Sequence, residues 1–290
     1  MAKIHANGID IWYELLGVGP TLALSHGWRG PTEDWPPGLL DELAQHARVL
    51  VYDVRGHGKT TWPGQIGDYS LPTYARDLSA LLDALDIEQA HIGGVSQGGM
   101  ISAQFAVDFP DQTRSLLICD STAGNAVDEG PGGAWERALQ GYLVAIEQMA
   151  RSDGQEALAE WLIQLERENN QHYLDHPIPA EDREAKARRQ NTHMPLEALC
   201  GTAEAIRLRP DLTARLKEVR MPALILAGEW DGFLACAERD HQLTDGSRFV
   251  RVRRCGHASP DWRPDAFLKT VTEFVADVEA GRDVAGEFEL

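Results

Sequence analysis

The chain has 290 residues, 43% of them hydrophobic, enough for one large domain or one domain with a substantial insertion. A formal net charge of −18 aids solubility and repels nucleic acid and anionic membrane surfaces, so neither is expected as a partner. The opening MAKIHANGIDIWYELLG has no long apolar core and no small-residue cleavage site, and no run of about 18 apolar residues follows. These absences exclude a signal peptide and a membrane span and make a cytoplasmic location the expectation. The four cysteines, Cys119, Cys200, Cys236 and Cys255, include no C-x-x-C pair and are expected to be buried free thiols.

In chain order, Ile9–Leu15 alternates weakly and ends at Gly17, as an early antiparallel strand would. Leu22–Leu24 and Val49–Val54 are short apolar runs, broken by Ser25-His26-Gly27 and by Arg55-Gly56-His57-Gly58, and suit buried parallel strands. Tyr74, Leu78, Leu81, Leu82 and Leu85 recur at helical spacing, with Ser70 as N-cap and Pro72 in the first turn. His91–Val95 is a strand running straight into Ser96. After it, Gly98, Gly99, Ser102, Ala103 and Ala106 put small residues on one side of a helix, which can then lie close to a sheet. Leu116–Cys119 is the next strand.

From about Asp128 to Val219 no convincing strand is found. Ser152-x-x-Gln155 is a capping-box signal, and Leu158, Trp161, Leu162 and Leu165 follow at helical spacing. Arg183–Arg189 carries both signs of charge and reads as an exposed helix. Strands resume at Ala223–Ala227 and Phe249–Val252. A last helix carries Phe267, Val271, Phe274, Val275 and Val278 on one stripe, and the tail Gly286–Leu290 is expected to fray. The alternation predicts an α/β fold with a mainly parallel sheet covered on both faces. Residues 1–127 and 220–290 would form its core domain and residues 128–219 a helical cap over the carboxyl edge of the sheet, where ligands of such sheets bind.

The strongest chemical signal is Gly94-Val95-Ser96-Gln97-Gly98, a G-x-S-x-G on a strand-to-helix turn. A sharp turn projects the serine hydroxyl outward and crowds its flanking positions, which must be small. A serine nucleophile needs a base. Of the ten histidines, His257 in Cys255-Gly256-His257 follows the last strand and returns to the same sheet edge as Ser96. His26 and His57 sit in tight glycine loops and read as loop hydrogen bonders. The base in turn needs a carboxylate, and Asp231 follows the strand Ala223–Ala227 directly; Asp120 and Glu229 are rivals. Two N–H donors would hold the oxyanion: the backbone N–H of Gln97 and that of Trp28, in the loop after Leu22–Leu24. The Trp28 ring has packing under the cap as its other role.

With these pieces in order, the chain resembles the α/β-hydrolase superfamily over nearly its whole length. Ser25-His26-Gly27-Trp28, Asp53-Val54-Arg55-Gly56-His57-Gly58, the Ser96 turn, Gly228-x-x-Asp231 and Gly256-His257 carry the resemblance. It implies a mainly parallel eight-stranded sheet flanked by helices, a helical cap inserted after the sixth strand, the set Ser96, Asp231 and His257, and no cofactor. Asp53 and Arg55 are similar to a family turn with a structural role. Serine at position 96 departs from the aspartate of haloalkane dehalogenases and epoxide hydrolases. Gly94-Val95-Ser96-Gln97 departs from the Gly-Asn-Ser pattern of carbon–carbon bond hydrolases.

The core resembles small carboxylesterases, cofactor-free haloperoxidases or perhydrolases, and 3-oxoadipate enol-lactonases. The expected activity is hydrolysis of a small-molecule carboxylic ester, with a lactone as the first alternative. A carbon–carbon bond hydrolase, a perhydrolase and a non-catalytic ligand-binding receptor are further ones. Trp135, Tyr142, Trp161 and Phe233 are candidates to line the substrate pocket, and Arg29 is a candidate to bind a substrate carboxylate. His172 and His176 stand at i, i+4, but without a third ligand they read as a solvated cap segment, and no metal is expected. No G-x-G-x-x-G implies a nucleotide. The oligomeric state, a homodimer among the possibilities, is left open.

Overall fold

Backbone pairing gathers the apolar runs into one sheet of β1 (Ala2–Ala6), β2 (Ile9–Leu16), β3 (Thr21–Ser25), β4 (Arg48–Tyr52), β5 (Ala90–Val95), β6 (Thr113–Cys119), β7 (Ala223–Gly228), β8 (Arg248–Val252) and β9 (Gly286–Glu289). The structure is a computed structural model describing residues 2–125, 130 and 132–290. The strand order is β1-β2-β4-β3-β5-β6-β7-β8-β9; β1/β2 and β2/β4 are antiparallel and every later pair is parallel. β3, β5 and β7 are buried at every residue, as strands covered on both faces must be. The sheet has nine strands where eight were expected. The tail expected to fray instead pairs in parallel with β8, from Arg248↔Gly286 to Arg251↔Glu289, because the outer edge of β8 offers unpaired backbone groups.

The helices are α1 (Leu39–Leu43), α2 (Leu71–Ala84), α3 (Gln97–Asp108), α4 (Gly133–Ser152), α5 (Gln155–Asn169), α6 (Ala180–His193), α7 (Leu196–Arg207), α8 (Leu234–Leu243), α9 (Ser259–Trp262) and α10 (Pro264–Glu279). Alternate residues of each strand serve opposite faces. Along β4, Leu50 and Tyr52 join the apolar cluster of α2 and α3, while Val49 and Val51 join that of α1 and α10. Ser70 caps α2 as expected, its Oγ accepting from Thr73 N at 3.2 Å. All four cysteines are buried and free.

Between β6 and β7 the chain runs through α4 to α7. The capping box expected at Ser152 does not form: Ser152 ends α4, and α5 starts after Gly154. Gln155 turns away instead, its Nε2 donating to Asn191 O at 2.6 Å and Met194 O at 2.7 Å. These acceptors, 36 and 39 residues along the chain, win because carbonyls at the α6–α7 corner lie past the last intrahelical donors. The helices share one apolar cluster with the sheet: Leu143, Ile146, Leu158 and Leu199 belong with Met100 and Phe233. A buried ion pair adds a polar tie. Arg209 Nη2 donates to both Glu136 oxygens at 2.7 and 2.6 Å, with side-chain exposures of 2% and 0%. The expected boundary between residues 127 and 128 lies outside the described residues. No described helix is long and apolar enough to cross a membrane.

The sheet topology opens a crevice at the carboxyl edge. β3 has β4 on one side and β5 on the other, so the chain reverses its direction of travel across the sheet there. Ser25 pairs with Gly94, which brings the carboxyl ends of β3 and β5 level. Loops leaving two such ends diverge and open a crevice between them.

Candidate active site

Ser96 stands in that crevice, between β5 and α3, at φ +57° and ψ −120°. A non-glycine residue there costs roughly 1–3 kcal/mol and persists only where its surroundings hold it. Ser96 N donates to Cys119 O at 3.0 Å, and Ser96 O accepts from Ser121 Oγ at 2.6 Å and Gly99 N at 2.9 Å. The two glycines of the motif are needed for space. A Cβ on Gly94 would lie 2.3 Å from Gly98 C, and one on Gly98 2.1 Å from Ser25 O. The turn can therefore press against β3 only with hydrogen at both positions.

The loops after β7 and β8 bring the other two residues to the same edge. Trp230 N donates to Cys255 O at 2.8 Å and Glu229 N to Val252 O at 2.8 Å, lacing the loops together. His257 Nε2 lies 3.0 Å from Ser96 Oγ, and His257 Nδ1 lies 3.1 Å from both Asp231 oxygens. Asp231 also accepts from Phe233 N at 3.0 Å, which fixes the plane of its carboxylate. The Asp231 side chain is fully buried while that of His257 is 44% exposed, so the line of contacts runs from the interior to the crevice. Burial works against a charged His257, but the Asp231 carboxylate outweighs it, with Asp120 and Asp261 adding to the effect, and raises the imidazole to about 9.

The rival carboxylates do other work. Asp120 is fully buried, and its Oδ2 accepts from Ser259 N and Ser259 Oγ, both at 2.6 Å. Its Oδ1 accepts from Gly228 N at 3.3 Å. Asp120 thus ties together the loops that carry Asp231 and His257 without touching the imidazole. Burial, then the Asp231 charge, pushes it up to about 7. Glu229 is exposed and accepts from Arg254 N at 2.9 Å.

Two backbone donors belong to residues that line one cavity with Ser96. Among the described residues, neither Gln97 N–H, at the start of α3, nor Trp28 N–H donates a hydrogen bond. The Trp28 loop is held from beneath. His26 Nε2 accepts from Val54 N at 2.9 Å, and Asp53 accepts from Thr32 N and Lys59 N, each at 2.7 Å. The Trp28 ring packs under the inserted helices, with Nε1 donating to Thr202 Oγ1 at 2.8 Å. Nothing else is needed to explain His26, Asp53 or Arg55, whose guanidinium pairs with Asp77 at 2.7 Å.

Ser96, Gln97, Trp28 and His257 line a cavity of about 960 Å³ between the sheet edge and the inserted helices. Of the four aromatic candidates, Trp135, Tyr142 and Phe233 line it and Trp161 does not. Leu162, Leu165, Glu166 and Asn169 are the α5 residues lining the cavity, and Trp161, about 100° round the helix from Leu162, stacks behind Tyr142 with ring centroids 6.3 Å apart.

Two further expectations are corrected. The charged helix α6 is not simply exposed: Arg183, Lys186, Gln190 and Asn191 form an inward polar stripe lining the cavity. Hydrophobic periodicity is blind to such a stripe, although the spacing alone was visible. His172 and His176 are part-buried rather than fully solvated. His172 stacks on Trp230 at 3.6 Å between ring centroids, and His176 packs on Trp262 at 4.2 Å. Among the described residues no cluster of side chains has the makings of a metal site. The support from Ser121 and Ser259 had no signal in the sequence, since both act through main-chain or carboxylate contacts made only on folding.

The comparisons with known proteins agree with this architecture. A family model described as alpha/beta hydrolase fold matches residues 20–264. The pimeloyl-acyl-carrier-protein methyl ester esterase of Aeromonas hydrophila is 29% identical over 271 residues, covering 92% of this chain and 100% of that protein. The enol-lactonase of Burkholderia xenovorans LB400 superposes with a TM-score of 0.76 at 27% identity, covering 95% of this chain and 100% of that one. An esterase of Thermogutta terrifontis superposes with a TM-score of 0.78 at 24% identity, over 96% and 98% of the two chains, which is a likeness of fold. With the family model spanning most of its length and this strand order beneath its crevice, the chain belongs to the alpha/beta hydrolase fold family.

Proposed function

We propose that the chain is a serine hydrolase that cleaves a small-molecule carboxylic ester through an acyl-enzyme. The observation that carries this is the unbroken contact from Ser96 Oγ through His257 to buried Asp231, opening onto a cavity beside two unpaired N–H groups. Asp231 accepts from Nδ1–H, which leaves Nε2 free as the proton acceptor. Ser96 Oγ attacks the ester carbonyl and its proton passes to Nε2. The carbonyl oxygen, now negative, lies against Gln97 N–H and Trp28 N–H. When the tetrahedral intermediate collapses, the alcohol leaves with the proton from Nε2. Water then repeats the path, His257 taking its proton, and the carboxylic acid is released with Ser96 restored. In the same proposal α4 to α7, expected as residues 128–219, act as a cap that shapes the cavity and limits entry of water.

A lactone is the second substrate class. It is favoured by the likeness to an enol-lactonase along the full length of that chain. The chemistry is the same, except that the leaving alkoxide stays tethered to the acyl group. The test is Ser96→Ala with p-nitrophenyl esters and a fluorophosphonate probe. Turnover should fall by several orders of magnitude, with residual catalysis of roughly 10³–10⁴ over water, and the probe should label Ser96 in the parent and nothing in the variant. Full activity in the folded variant would end the proposal.

A further inference from the structure

We propose that Arg29 binds an ionised carboxylate on the substrate, so that the preferred ester or lactone carries a second, free carboxylate away from the reacting bond. The proposal rests on the reading of Ser96 as an acyl-transfer nucleophile and deepens it by naming the substrate class. It follows from the charges that line the cavity. Arg183 pairs with Glu166 at 2.7 Å, Lys186 with Asp261 at 3.0 Å, and His257 with Asp231 at 3.1 Å. Asp34 is held by Arg189 at 2.5 Å and by Gln190 at 2.6 Å. Among the described residues, Arg29 is the charged side chain lining the cavity that has no partner of opposite charge.

Its surroundings are built to hold it rather than to neutralise it. Nη1 donates to the neutral Oδ1 of Asn191 at 2.7 Å, and the guanidinium lies 4.5 Å over the Trp28 ring. Nε is buried with no hydrogen-bond partner, and none is found for Nη2 among the described residues. A buried donor without an acceptor is costly, and an uncompensated cation held in place by a ring and a neutral amide keeps its full charge for a ligand. The Arg29 backbone is itself in the left-handed region, at φ +66°. Such strain gathers where a side chain is aimed for a purpose. Arg29 follows Trp28, whose N–H is proposed to hold the oxyanion, so a group bound at Arg29 belongs to the molecule being cleaved. A carboxylate fits better than a phosphate. One guanidinium balances one negative charge, whereas a phosphate dianion would leave excess charge beside Asp34 and Asp261.

The test compares p-nitrophenyl monoesters of succinic, glutaric and adipic acid with neutral p-nitrophenyl esters of matched chain length. The readout is the ratio of kcat/KM for the anionic ester to that for the neutral one. The parent should favour at least one anionic ester, and Arg29→Gln should cut the ratio roughly 10- to 100-fold, mostly through KM, as expected for a lost charge-assisted contact. Asn191→Asp is the second variant. It leaves Arg29 in place but gives it a carboxylate partner, and the ratio should fall similarly. If Arg29 instead stabilised the oxyanion, Arg29→Gln would lower kcat on both ester types alike and leave the ratio unchanged, which overturns the proposal. A parent with good turnover of neutral esters and no anionic preference overturns it as well, while a parent inactive on every ester defeats the acyl-transfer reading first.

Discussion

Replacing Asp231 by Asn tests the proposed relay most sharply, because it leaves the shape of the site and changes only the donor pattern and the charge. Phe233 N–H, 3.0 Å from Oδ1, demands the carbonyl oxygen of the new amide at that position. The NH2 then takes the place of Oδ2, 3.1 Å from His257 Nδ1. Nδ1–H loses one of the two acceptors it meets at 3.1 Å and faces that NH2, whereas a bare Nδ1 would accept from it, so the imidazole proton shifts to Nε2. In that tautomer Nε2 donates toward Ser96 and cannot accept its proton, so kcat should fall on the order of 10⁴-fold. A second signature follows from charge. The neutral imidazole is the base, so kcat/KM rises with pH through the His257 pKa, which the carboxylate raises to about 9. Burial alone lowers it. Without the carboxylate the inflection should therefore move from about 9 to the ordinary imidazole value of about 6.5 or below. Initial rates on a p-nitrophenyl ester between about pH 5 and pH 10 measure both effects, with circular dichroism confirming the fold. A folded variant that keeps more than about a tenth of kcat with its inflection unmoved would refute the reasoning.

Asp120→Asn separates the two buried acids: an amide aimed at the Ser259 N–H and hydroxyl should cost about 1–3 kcal/mol in urea unfolding. Its loss of kcat should be far smaller than that of Asp231→Asn; the reverse order would assign Asp120 as the acid instead. Glu136→Gln strands the buried Arg209 guanidinium and should destabilise by about 3–5 kcal/mol, while the double change Glu136→Leu with Arg209→Met should recover a large part of that. Denaturation midpoints of the three proteins decide it, and an unchanged midpoint in Glu136→Gln would show that the pair holds nothing. Ser96→Ala, in contrast, should leave the unfolding midpoint equal or higher, since among the described residues the lost hydroxyl contacts only the part-exposed His257 Nε2.

Much of this was legible before folding is considered. Gly94 and Gly98 around Ser96 need no tertiary information, because only hydrogen fits beside a serine in so tight a turn. Asp231 and His257 were legible from their places just after apolar runs, since strand ends in a parallel sheet share one edge. Polar residues that work from helix faces were not. Trp161 and Leu162 are neighbours in the chain, yet only the orientation of α5 decides which of them meets the cavity. The tail Gly286–Glu289 has no apolar run, and became a strand because β8 had an open edge.

The division has a physical cause. Ser96, His257 and Asp231 could be picked out as candidates from the chain alone, because each is tied to a local backbone event: a strained turn, or the end of a buried strand. Only the tertiary structure decided that Asp120 braces the loops, that His172 and His176 lean on Trp230 and Trp262, and that Arg29 stands without a counter-charge. Those are outcomes of pairing between segments far apart in the chain. A charge is satisfied or left bare by what folding brings beside it, and no local pattern records that.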